Sequence, residues 1–164
     1  MSGYIIGGPS SLTETSTTLP QGKGFGLGDA ATSSTGTVYR YAQAAAVITQ
    51  YDTVFIDESY SANAITAALA ADAGMIGVAQ STLATGDYAW FAVAGGLANI
   101  RVAANTSADA VLWTSSTAGV LTSTGATASQ IPILGLKAAS AGSAGGITNV
   151  VGFLAYPAAG TINI

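Results

Sequence analysis

The chain has 164 residues, with four basic and eight acidic side chains, no histidine, no cysteine and a net charge of −4. Charged residues make up 7% of it, where soluble proteins average about 25%. This excludes a disulfide scaffold and thiolate metal sites, removes most groups an enzyme uses for acid–base work, and leaves nucleic acid no cluster of cations, because Lys23, Arg40, Arg101 and Lys137 stand far apart.

Other bounds follow from the same composition. The hydrophobic fraction is 49%, the opposite of a disordered chain. The charge-free stretch from Ala138 to Ile164 is broken by Ser, Thr, Asn, Gly and Pro, so no apolar run suits a membrane-spanning helix. Met1-Ser2-Gly3-Tyr4 opens no basic stretch followed by a long apolar one, so a secretory leader is not expected. A solitary soluble domain keeps roughly a quarter to a third of its surface charged. Much of this surface is therefore expected to lie against other protein. The length suits one domain or two small similar units.

In chain order, residues 1–36 read as an extended, irregular arm. Ser10 to Thr18 is nearly all Ser and Thr, and Gly22, Gly24, Gly26 and Gly28 alternate with Lys23, Phe25 and Leu27. Glycine at that density disfavours regular structure. Tyr4, Ile5, Ile6, Lys23, Phe25 and Leu27 are its candidate interface residues, by which the arm docks on a neighbour.

From residue 37 the pattern becomes that of a β-domain running to residue 164. Strands are predicted at Thr37–Tyr41, Val47–Ile48, Thr53–Ile56, Met75–Ala79, Tyr88–Val93, Asn99–Val102, Val111–Trp113, Ile131–Leu136 and Val150–Tyr156. Gly, Asn, Asp and Ser separate them at short intervals. Many short strands with turn signals mean an all-β compact barrel or sandwich. Ala62 to Ala73 is open between a short helix and a strand, since its Ala and Leu favour helix while Ile65-Thr66 suits a strand.

A weak internal repeat is visible. Asp52-Thr53-Val54-Phe55-Ile56 falls over Asp109-Ala110-Val111-Leu112-Trp113, Ile76 to Gln80 over Leu134 to Ala138, and Tyr88 to Val93 over Val150 to Ala155. It implies two related β-units sharing one core. Asp52 and Asp109 each precede an apolar strand, so both are predicted to hold turns by accepting backbone N–H bonds.

No catalytic motif emerges. Asp57 and Glu58 would point to opposite faces of a strand and are read as a turn. Calcium at Asp52, Asp57 and Glu58 lacks an Asp-rich loop to support it. The Gly22 to Gly28 run matches neither a dinucleotide nor a phosphate loop, and no Ser has a base partner or a nucleophile elbow. Trp90 and Trp113 are read as core residues. No catalytic, cofactor or metal residues are predicted.

The phrasing Ala44-Ala45-Ala46-Val47-Ile48-Thr49-Gln50-Tyr51-Asp52-Thr53-Val54, then Ile76 to Gln80 and Ala84-Thr85-Gly86-Asp87-Tyr88-Ala89-Trp90, then Ala108 to Thr114 and Thr117-Ala118-Gly119-Val120-Leu121, resembles the capsid decoration (cement) proteins of tailed bacteriophages. The resemblance runs from Tyr39 to Tyr156 and leaves out the arm. It implies a non-enzymatic virion protein on the outside of an icosahedral shell, present in the host cytoplasm during assembly. Its implied partners are the major capsid protein, whose neighbouring subunits it clamps, and itself, as a homotrimer. No cofactor, nucleic acid or membrane is implied. A fibre or adhesin module that binds a carbohydrate is the alternative, with Tyr60 and Tyr88 as stacking candidates.

Overall fold

Runs of β-branched and aromatic residues, cut short by Gly, Asp and Ser, fold here as strands, as their propensities dictate. The computed structural model describes residues 26–72, 74–125 and 129–160. In chain order they form β1 (Ala30–Thr32), β2 (Val38–Ala44), β3 (Thr53–Ile56), β4 (Ser61–Ala64), the one-turn helix α1 (Ala67–Ala70), β5 (Met75–Ala79), β6 (Tyr88–Ala94), β7 (Gly96–Val102), β8 (Leu112–Thr114), β9 (Leu121–Thr122), β10 (Pro132–Ala138) and β11 (Thr148–Ala159).

The expected all-β barrel architecture is present twice. β2, β4, β3, β5 and β6 pair in that order, and β6 pairs back onto β2, which closes a ring. β7, β9, β8, β10 and β11 close a second ring in the corresponding order. In each ring one pair is parallel, β2 with β4 and β7 with β9, and every other pair is antiparallel. Identical topology with one parallel pair in the same place is the signature of two copies of one unit.

The register of the repeat differs from the sequence overlay by one residue. Tyr51 donates its N–H to the Ala79 carbonyl, and Asp109 donates its own to Ala138. Both residues have left-handed backbones, with φ of 69° and 57°. Tyr51 is therefore the counterpart of Asp109, and Ala110 is the counterpart of Asp52. Likewise Trp90 lies opposite Tyr41 as Val151 lies opposite Asn99, so Trp90 matches Val151 and not Gly152. A slip of one residue exchanges the two faces of a strand, so the correction decides which side chains face outward.

Ala42, Val54, Ile56, Ala62, Ala89 and Phe91 fill the first ring. A second cluster joins the interior of the second ring, with Ile100, Leu112, Leu121 and Leu154, to Phe55, Ile76, Val78 and Ala92 on the outer face of β3, β5 and β6. The first ring thus keeps an interior of its own, and the two rings share the second cluster. Hydrogen bonds reinforce the joint. Arg101 N–H reaches the Tyr51 carbonyl at 3.0 Å, and Thr53 N–H the Gly119 carbonyl at 2.9 Å. Gly119 has φ of 77°, and a Cβ there would lie 2.4 Å from Asp52 Cγ, so no other residue fits.

Two expectations need correction, and one open choice is decided. Residues 26–36 belong to the β-structure and not to an arm, because β1 pairs with β2 and Gly28 N–H bonds the Tyr41 carbonyl. Val47–Ile48 is no strand. Ile48 makes a single bridge to Leu83, because the turn that begins at Thr49 ends the run. Ala62 to Ala73 divides between both readings: β4 comes first, then Thr66 caps one helical turn by accepting Leu69 N–H at 3.3 Å.

Candidate contact surface

Among the described residues most of the scarce charges are engaged within the molecule. Asp29, Asp52 and Asp87 build the same device, in which each carboxylate accepts the N–H three residues upstream, from Gly26, Thr49 and Ala84. Each aspartate N–H bonds back to the carbonyl of that same residue. The residue before each aspartate is Gly28, Tyr51 or Gly86, all with positive φ. Asp57 closes the β3–β4 hairpin, accepting from the N–H groups of Ser59 and Ser61 at 2.9 Å. The Ser61 N–H bond, first among several, holds its carboxyl below the usual value of 3.8.

Asp52 does more than hold its turn. It is buried and receives Arg101 Nη1 at 2.6 Å, tying the first ring to β7 of the second. The predicted role of Asp52 is therefore what is seen. Asp109 is different: its side chain is exposed and, among the described residues, accepts no hydrogen bond. The physical reason is the slipped register, which puts Asp109 at the left-handed position and not at the one that follows it. Arg40 donates to the Gly28 carbonyl at 2.9 Å.

Of the candidate interface residues in the arm, Tyr4, Ile5, Ile6, Lys23 and Phe25 lie outside the described residues. Leu27 sits in the Gly26–Asp29 turn and is exposed. Tyr60 and Tyr88, the stacking candidates, are engaged in packing. The Tyr60 ring covers Gly28, and Tyr88 stacks on Tyr41 with centroids 6.2 Å apart. Trp90 is buried with Ala31 and Tyr41. A hollow of about 510 Å³ beside α1 is lined by Ala67, Ala103, Ser115, Thr122, Thr124 and Gln130 among others, with no carboxylate or aromatic ring. Among the described residues no three Asp or Glu side chains gather, and no helix is long and apolar enough to cross a membrane.

What stands out is the outer face of β7, β11 and β10. Leu97, Phe153 and Lys137 lie side by side across these three strands, and Val151 lies beside Asn99. Leu97 is 63% exposed, Phe153 52% and Val151 38%. Val111, Leu134, Gly135, Phe153 and Ala155 line an adjoining hollow of about 230 Å³. Sequence reasoning missed these residues. Their signal was there: Val150-Val151-Gly152-Phe153-Leu154-Ala155 is apolar on both faces, whereas a barrel strand with a wetted outer side alternates apolar with polar.

The comparisons with known proteins add no kinship: no family model, no curated protein and no solved structure matches the chain.

Proposed function

We propose that this chain is a non-enzymatic contact protein of a virion: a decoration protein that sits on the outside of an icosahedral phage capsid and clamps neighbouring major capsid subunits. One observation carries the reading. A molecule with so few charges uses four of its aspartates to hold turns, while the described residues leave a largely apolar face exposed on its second barrel. Apolar patches of that kind on an otherwise finished fold mark contact with other protein. The resemblance between residues 39 and 156 and the cement proteins supplies the capsid as the partner.

The mechanism is burial without chemistry. A standard interface covers about 1,600 Å², and apolar area contributes about 25 cal/mol per Å² before association and ordering costs are set against it. Small Ala, Gly, Ser and Thr side chains lose little rotamer entropy on contact. A copy that touches several subunits gains further from effective concentration. The shell is reached by residues 1–25, with Tyr4, Ile5, Ile6 and Phe25 as its apolar anchors. Co-sedimentation with empty capsids tests this. The full chain is expected to pellet in a fixed ratio to the capsid protein, and a chain beginning at residue 26 to bind at least tenfold more weakly while its circular dichroism is retained. A full chain that never pellets with capsids rejects the reading.

A further inference from the structure

We propose that the outer face of β7, β10 and β11 packs against the same face of a second copy of this chain. The internal duplication provides the first argument. In the first ring the counterparts of Leu97, Lys137 and Phe153 are Tyr39, Val78 and Ala92; Val78 and Ala92 are buried in the cluster shared with the second ring, and Tyr39 packs against it. Among the described residues no third ring covers the second. Lys137 stands where the first ring has Val78, yet the rest is not made polar: Phe153 stands where the first ring has Ala92, judged by their places opposite Leu97 and Tyr39. A face that is covered in one unit is thus left bare by the described residues in the other, and its aromatic bulk is larger there.

Charge provides the second argument. Lys137 lies beside Phe153, and Asp109 bonds through its backbone to Ala138, the next residue along β10. Both side chains are exposed, and among the described residues neither has an ion-pair or side-chain hydrogen-bond partner. The apolar strip is therefore flanked by one cation and one anion close together. A patch that meets itself must be self-complementary. This one is: packing strip on strip sets Lys137 of one copy against Asp109 of the other, while Phe153 of each meets the hollow lined by Val111 and Leu134. A partner of strong single-sign charge gains nothing from such a pair.

The inference does not depend on the capsid reading, and its test uses the purified chain alone. Light scattering and native mass spectrometry are expected to show a multiple of 16.1 kDa. Phe153→Asp is expected to return the mass to a single copy with circular dichroism unchanged. Val47→Asp, at a residue more exposed than Phe153 but remote in sequence from the strip, is expected to leave the assembly intact. Should Phe153→Asp fail to fold, the charges decide. Lys137→Asp alone is expected to weaken self-association about fivefold, and joining it to Asp109→Lys to restore it. A full chain that stays at 16.1 kDa overturns the proposal, whether the face then proves to be covered by residues 1–25 or by capsid protein. So does a double variant whose losses simply add.

Discussion

Most of the aspartates in this protein are backbone parts. A carboxylate that accepts one N–H three residues upstream supplies the bond that a tight turn leaves unmade, and the left-handed residue before it turns the chain into the next strand. Asp52 adds a charge pair, so its loss is felt twice: the Thr49 N–H is orphaned and Arg101 is left without its anion. Asp52→Ala is expected to lower stability by about 3 kcal/mol, in line with broken part-buried ion pairs. Asp109→Ala should change it by less than about 0.5 kcal/mol, as for other exposed sites. Urea denaturation of the two variants checks the contrast. The sequence made Asp52 legible, because Asp before an apolar run is a turn signal. It misled at Asp109 because Ala- and Gly-rich text aligns almost equally well one residue to either side, and only strand pairing settles which residue faces which.

At the scale of elements, the runs of β-branched and aromatic residues in β3, β5, β6 and β11 could be read directly, since propensity and pairing agree there. β4 and β9 could not: Ser-Ala-Asn-Ala and Leu-Thr have no strand character of their own, and their state is imposed by the strands on both sides, β2 and β3 for β4 and β7 and β8 for β9. β1 was missed for a related reason. Its Ala-Ala-Thr sits next to a glycine-rich stretch, and the neighbour that orders it is β2. Cutting at residue 37 therefore removes a strand. A chain that begins at residue 37 loses the β1–β2 ladder, the Arg40–Gly28 bond and the cover that Ala31 gives Trp90 and Tyr41. It is expected to be about 2 kcal/mol less stable than one beginning at residue 26, with Trp90 emission moved to the red. Equal stability of the two truncations, read by fluorescence-monitored urea melts, would show that β1 is dispensable.

For the whole molecule, duplication and fusion have different consequences. Two copies of one unit usually suggest two independent folding events. Here the outer face of β3, β5 and β6 belongs to the same apolar cluster as the interior of the second ring, and Gly119 of one unit is wedged between Thr53 and Ile65 of the other. A single calorimetric transition is expected, with calorimetric and van't Hoff enthalpies equal. Two resolved transitions would show that the shared cluster does not couple the halves. The contact face, by contrast, was nearly invisible before the fold was known. Exposed apolar residues from three strands far apart in the chain become one surface only when β7, β10 and β11 are laid side by side.

Both rings are closed. Every strand within them has a hydrogen-bonded neighbour on two sides, and β1, only three residues long, is the short exception. A sheet with bare margins invites its neighbours to add on and grow into fibres, and the danger rises with local crowding. Rings have nothing to extend. Such molecules can stand shoulder to shoulder in large numbers, nearly free of mutual charge repulsion at close range, and still meet only through the side chains they present.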